Sequence, residues 1–408
     1  MNVVAWFIRQ VNALFMLFRR RQRIALLSRQ SHNPLDFELL KPHLKRAFPQ
    51  YDIVQCCVRE GGKLGVFVAA RQLWLSATST LSVVDGYVPA VCIPRNTDEA
   101  RRNLPPCVQM WHALGAVKKF GYQSLGTKAG RSSAVARSLS MHRGYTAVIA
   151  GLSGAVPAFS QAFGYEEWDI VPLGLPRIDY LTRDEYRARR NRRSQAIRRG
   201  IGLADAELDR RLVILYAPTF RKNAVDHDWH RRYITDLYHA IPENAVLVVS
   251  GHPLDHFGPD DPRRINDIPR LRFLKSAASI DALPIADYVI TDYSAIAFEA
   301  MLIGKKVLFY VPDLDEYRES PGLNIDPERD LGSITFREAE TLGRFIADDM
   351  TQQCYDQGTV EEFAQAYGIV AMRESQGCSC ARITRFLATV IQQSQGKDLV
   401  RKGTPCTQ

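Results

Sequence analysis

Several things are missing from this 408-residue sequence, and each absence narrows what the protein can be. There is no CxxC pair among its eight cysteines, and Cys378-Ser-Cys380 is too close-set to hold zinc with no matching pair elsewhere. His227, His230 and His239 lie close together, but no acidic partners accompany them, so no metal is expected. Scattered cysteines without a small-residue cleavage site near the amino terminus fit reduced thiols. No apolar run reaches the roughly 20 residues that a spanning helix needs. There is no glycine-rich phosphate loop, no zinc finger or RNA-binding signature, no internal repeat and no low-complexity stretch.

What is present is charge of one sign in two clusters and enough apolar content, 46%, for two ordinary cores. The net charge is +9. Arg19, Arg20, Arg21 and Arg23 form the first cluster, directly after an interrupted apolar stretch containing Trp6, Phe7, Phe15 and Phe18. This pattern fits an amphipathic helix lying in an anionic membrane surface. The second cluster runs from Arg183 to Arg199. It reads equally as a solvated arginine-rich helix or as a phosphate-attracting patch.

Apolar runs suited to strands recur along both halves: Ile24–Leu27, Ile53–Val58, Gly65–Ala70, Leu81–Val84, Ala90–Ile93, Val108–Trp111 and Thr146–Ala150, then Leu212–Tyr216, Val246–Ser250, Leu271–Phe273, Tyr288–Thr291 and Lys306–Tyr310. Pro34–Phe48 has helical periodicity. Alternating strands and helices imply parallel α/β architecture, and Pro172-Leu-Gly-Leu-Pro176 suits a boundary. The expected organisation is GT-B-like, with two Rossmann-like domains facing a cleft. The expected bounds are 1–22 for a membrane-associating helix and basic cluster, 23–172 and 173–395 for the two Rossmann-like domains, and 396–408 for a loose tail.

Polar residues stand at the carboxyl ends of these strands, where open α/β sheets bind ligands. They are His112, Gly151–Ser153, Thr219–Arg221, His252 and Thr291–Ser294. The fullest segment, Asp281–Gly304, reads as strand, polar turn and helix, with Asp292 or Ser294 as cap and Glu299 inside the helix.

This segment, continued through Val307–Tyr317, resembles the CDP-glycerol glycerophosphotransferase family, which builds teichoic acids and some capsule polymers. Leu215–Arg221, Gly174–Asp179, and Trp111-His112 with Lys118-Lys119 carry the same resemblance in the same order. It implies that His112 is a catalytic base and that His252 is functionally important, whether in phosphate contact, acid/base chemistry or loop structure. It also implies a donor diphosphate held by Thr219, Arg221, Asp292 and Ser294, a ribose at Glu299, and an acceptor or polyol near Lys118, Lys119, Ser153 and Asp313. The family more often has Gly-Thr-Pro after the histidine, whereas Ala113-Leu114-Gly115 stands here. The activity implied is transfer of glycerol phosphate, or a related polyol phosphate, from CDP-glycerol or another CDP-polyol to a lipid-linked acceptor. It would proceed with release of CMP, without cofactor or nucleic acid, at the cytoplasmic face of the cell membrane. The competing readings are a GT-B glycosyltransferase using a nucleotide sugar and a non-catalytic polyanion- or membrane-binding protein.

Overall fold

A computed structural model of the chain describes residues 3–58, 65–97, 102–203, 211–219, 229–251, 268–274, 279–375 and 378–402. The chain divides into two compact units. The first takes Met1–Leu114, Phe120–Asp179 and Gly377–Gln408, and the second takes Gly115–Lys119 and Tyr180–Gln376.

The first unit is built on β1 (Arg21–Ser28), β2 (Asp52–Cys57), β3 (Ser79–Val84), β4 (Cys107–Gln109), β5 (Ala147–Ala150) and β6 (Ile170–Pro172). Their order is β2-β1-β3-β4-β5-β6, and every pairing is parallel. Parallel strands are covered on both faces, so they read as continuous apolar runs. Ile24, Ala25, Leu26 and Leu27 of β1 are accordingly all shut off from solvent. The second unit carries β7 (Leu212–Tyr216), β8 (Ala245–Val249), β9 (Leu271–Phe273), β10 (Tyr288–Thr291), β11 (Lys306–Tyr310) and β12 (Thr335–Phe336). Their order is β12-β11-β10-β7-β8-β9, again all parallel. Each sheet has a point at which strand order reverses, between β1 and β3 in one and between β7 and β10 in the other. Such switch points open a crevice beyond the strand carboxyl ends.

Several expectations need correction. Gly65–Ala70 is not a strand but the start of the helix Gly65–Thr78. Its Val66 and Phe67 face solvent, while Leu73, Leu75 and Ala77 in the second half supply the buried face, so a six-residue window missed the helical period. Ala90–Ile93 is likewise helical, begun by Pro89 at a first-turn position where the missing N–H costs nothing. Pro172, expected at the boundary, ends β6, and the division between units falls after Asp179. Lastly, the chain remains helical to Lys402 where a loose tail was expected from residue 396.

That last helix, Ser379–Lys402, joins the first unit rather than the second. Its first amides are caught by a buried carboxylate: Ser379 N and Cys380 N donate to the two oxygens of Asp179 at 2.7 and 2.9 Å. Near its other end Gln395 donates to the Tyr51 hydroxyl at 3.1 Å.

The helix Val3–Phe15 buries only Ala5 and Asn12. Arg9 donates to the Ile93 carbonyl, and the rings of Phe15 and Phe18 meet Trp74 edge-on at 5.0 and 4.9 Å. Val3, Val4, Trp6, Phe7, Leu14, Leu17 and Phe18 remain exposed. Arg23, expected among the basic surface cluster, is instead a buried residue of β1. No described helix is long and apolar enough to cross a membrane.

Asp179→Ala removes the carboxylate that satisfies two amides at the start of the last helix. It should lower unfolding free energy by about 1–3 kcal/mol. Urea unfolding of the two proteins at one pH tests this, and equal midpoints would show that the cap contributes nothing.

Candidate active site

In the first unit, candidate groups gather where β1, β3 and β4 end. His112 lies three residues beyond β4 and is half-buried. Its Nδ1 sits 2.8 Å from the carbonyl oxygen of Asp85, the residue directly after β3. A carbonyl only accepts, so the ring nitrogen facing it carries the proton. The neutral ring then has its lone pair on Nε2, the form a general base requires.

The support for this ring is built into the preceding residues. Trp111 adopts a left-handed backbone, with φ 59°, which is costly for a bulky residue. Its N–H donates to Gln109 Oε1 at 2.8 Å. Its indole lies 4.3 Å from the His112 ring, stacks on Phe120 at 4.9 Å and meets Phe163 edge-on at 5.1 Å. His142 lies against the same cluster, 4.8 Å from Phe163, and accepts or donates at Tyr145. Burial, helped by Arg131, pushes His142 down to about 3, so it is neutral there.

Behind the loop, Gly151 follows β5. A Cβ on it would lie 2.6 Å from Leu114 Cα, so only glycine admits the His112 loop this closely. Ser153, expected on the acceptor side, opens the short turn Ser153–Ala155 and is exposed.

In the second unit the loops after β7 and β10 are tied at the switch point. Thr291 Oγ1 donates to the Ala217 carbonyl, and Thr219 N donates to Asp292 Oδ1, each at 2.8 Å. Asp292 Oδ1 also accepts from Tyr293 N at 2.6 Å. Asp292 was expected to contact the diphosphate or cap the next helix. Its carboxylate is buried and braces both loops. Ser294 is half-buried, and its Oγ lies 3.5 Å from Ile296 N, a contact too long for a firm cap. Glu299, in the helix Ile296–Leu302, is buried. Tyr293 stacks on Tyr317 at 3.7 Å and donates to Asp313 at 3.1 Å, which orients the Asp313 carboxylate.

Lys118 and Lys119 act here through their backbone. Lys119 N donates to the Gly322 carbonyl at 2.8 Å, and the Lys118 carbonyl accepts from Asn324 Nδ2 at 3.2 Å. Both side chains are half-buried. Gly115, in the sequence that departs from Gly-Thr-Pro, passes so close to Phe298 that a Cβ would lie 2.7 Å from its ring. Arg221 and His252 lie outside the described residues, as does His227. His230 is buried in the helix Trp229–Ala240, and His239 is exposed. In the arginine-rich helix Arg187–Gly200, Arg193 pairs with buried Asp281 at 2.9 Å and Arg190 donates to the carbonyls of Tyr180 and Arg183, while Arg192 and Arg199 are exposed.

Asp85 and Gln109 escaped the sequence reading. Asp85 carries the usual signal of a polar residue directly after a strand, while Gln109 is one amide inside an apolar run.

Residues 13–386 match the family described as CDP-glycerol:poly(glycerophosphate) glycerophosphotransferase. The chain is 27% identical over 325 residues to the teichoic acid ribitol-phosphate primase of Bacillus spizizenii, covering 78% of this chain and 76% of that protein. It is 27% identical to the teichoic acid glycerol-phosphate primase of Bacillus subtilis, over 62% of this chain and 61% of the relative. Its fold is similar to that of the wall teichoic acid polymerase TagF, with TM-score 0.66, 16% identity and coverage of 97% and 96% of the two chains. A UDP-N-acetylglucosamine 2-epimerase fold from Listeria monocytogenes matches with TM-score 0.55 and 13% identity, covering 91% and 97%.

The Asp85 side chain is 2% exposed, and its Oδ1 has no hydrogen-bond partner among the described residues. Burial is the main cause that pushes its carboxyl from 3.8 up to about 7; the Ser28 hydroxyl and Arg177 oppose this, and the Asp36 charge adds to it. The unfolded chain gives up this proton near 3.8, whereas the native protein keeps it to about 7. The stability linked to that proton is therefore full below 3.8 and is lost as pH rises through 7. Asp85→Asn keeps the shape in a permanently neutral form. It should stabilise the protein at pH 8 by on the order of 1–4 kcal/mol and by far less at pH 5. Denaturant unfolding at the two pH values decides, and an equal effect at both contradicts the assignment.

Proposed function

The chain belongs to the CDP-glycerol:poly(glycerophosphate) glycerophosphotransferase family, and on that premise we propose that it transfers a polyol phosphate from a CDP-polyol to a hydroxyl of a membrane-linked acceptor in teichoic acid or capsule-type polymer synthesis. His112 Nε2 takes the proton of the acceptor hydroxyl. The acceptor oxygen forms a bond to the phosphorus bearing the polyol, and the bond from that phosphorus to the CMP oxygen breaks. The proton rests on the imidazole and CMP leaves. The observation that carries this reading is the Asp85 carbonyl on Nδ1, which puts the basic nitrogen of His112 in the required tautomer.

On the donor side, Thr219 and Ser294 at the second switch point, with Arg221, hold the diphosphate. A guanidinium fork and amide donors offset charge as it moves to the leaving phosphate. Glu299 accepts from the ribose hydroxyls. Asp292 serves the donor by holding the Thr219 loop. Lys118, Lys119, Ser153 and Asp313 serve the acceptor or polyol, and His252 acts at the phosphates or as a second acid.

The protein works peripherally at the cytoplasmic face of the membrane. Supporting this are the exposed Val3, Val4, Trp6, Phe7, Leu14, Leu17 and Phe18, followed by the exposed Arg19 and Arg21. An apolar helix face beside arginines suits an anionic interface, each arginine adding about 1 kcal/mol.

Purified protein given CDP-glycerol, CDP-ribitol or a UDP-sugar with a lipid-linked acceptor should release CMP from one CDP-polyol, and mass spectrometry of the product reads the number of additions. Turnover only with the UDP-sugar overturns the proposal. His112→Gln should cut CMP release at least about 100-fold with an unchanged thermal midpoint. Replacing Trp6, Phe7, Leu14 and Leu17 together by serine should abolish co-sedimentation with phosphatidylglycerol vesicles. Undiminished binding removes the helix from the membrane contact.

A further inference from the structure

We infer that Gln109 is a positioning residue that sets the orientation and tautomer of His112, an inference that rests on the reading of His112 as the base. Gln109 ends β4 and is fully buried. Both ends of its amide are used. Nε2 donates to the Gly86 carbonyl at 3.0 Å, and Oε1 accepts from Trp111 N at 2.8 Å. Gly86 immediately follows Asp85, whose carbonyl receives the His112 Nδ1 proton. Trp111 immediately precedes His112. One side chain thus fixes both the residue that offers the acceptor and the residue that carries the ring.

The need for such a clamp comes from the backbone. Trp111 is held in the left-handed region at φ 59°, which a tryptophan does not adopt without external support. The strands fix the ends of the two loops, since Val84 pairs with Gln109 across β3 and β4 and Met110 N donates to the Val84 carbonyl at 2.7 Å. Beyond that point no strand pairing continues, and Gln109 takes over. An amide keeps a donor and an acceptor in this arrangement at every pH. Glutamate keeps the acceptor for Trp111 but, once ionised, sets a negative oxygen against the Gly86 carbonyl, so its test is made at a pH above its ionisation. Methionine fills the space and offers neither.

If the clamp fails, the Asp85 carbonyl and the His112 ring lose their mutual register. The ring is then free to protonate on Nε2 instead, and the base is lost although the histidine remains. This differs from a packing role, which would change stability without changing the tautomer.

The test uses the full-length protein and its Gln109→Met and Gln109→Glu variants. Histidine-ring nitrogen shifts by NMR, with the His112 signal identified by its loss in His112→Gln, report the tautomer without any substrate. Wild type should show the Nδ1–H form, and both variants a mixture shifted toward Nε2–H. CMP release should fall at least about tenfold in kcat, with the donor KM within about twofold. If Gln109→Met does not fold, Gln109→Glu, which retains the Trp111 bond, carries the test alone. A wild-type tautomer and kcat in any folded variant overturns the inference. A tautomer shift in a protein that releases no CMP from any CDP-polyol leaves the clamp standing and removes the proposed reaction instead.

Discussion

The feature on which everything else rests is the parallel pairing of every strand with its neighbours in both sheets. A parallel strand must be re-entered from the same end, so each connection crosses over and each loop after a strand opens on one edge. Order reverses once in each sheet, between β1 and β3 and between β7 and β10. At those points neighbouring crossovers diverge and leave the loop ends exposed to a ligand. Asp85 and His112 stand at the first edge, and Thr219, Asp292 and Ser294 stand at the second. A chain with buried apolar strands needs polar groups only where it leaves the sheet, and there it places them.

Within each edge, backbone groups do much of the positioning. The His112 ring is set by a main-chain carbonyl. The Thr219 loop is set by a main-chain N–H on the Asp292 carboxylate. Buried polar side chains, Gln109 and Asp292, satisfy loop backbone that no strand partner reaches. Such groups cost free energy when left unpaired in a dry interior, so their presence there reflects paired use. Asp85 is the exception in the first edge, since one of its oxygens lacks a partner among the described residues. It meets the cost by keeping its proton to about 7.

The strands that are apolar throughout were legible in the sequence: the cores of β1, β7, β8, β10 and β11 stand where their runs placed them. Legibility failed where an apolar run served another purpose. Val66 and Phe67 looked like strand residues but are exposed at the start of a helix. The two residues of β12 are too few to leave a pattern. At the site, residues after strands were legible from the rule that ligands gather there. Gln109 was not, because an amide inside Cys107-Val-Gln-Met110 gives no sign of which carbonyl it will meet. Asp292 was noticed, but only the fold brings the Thr219 amide to it.

Particular motifs carried the resemblance to the family, and the order of apolar runs and polar turns was enough by itself to determine two parallel α/β units. Those depend on local patterns along the chain, which burial on both faces of a sheet imposes directly. The tertiary structure alone decided which contacts each polar residue makes. It placed the last helix with the first unit through Asp179, some 200 residues away in sequence, and it chose the nitrogen of His112 that carries the proton. Contacts between residues far apart in sequence leave no periodicity to read, and a tautomer is fixed by whichever acceptor the fold brings within 2.8 Å.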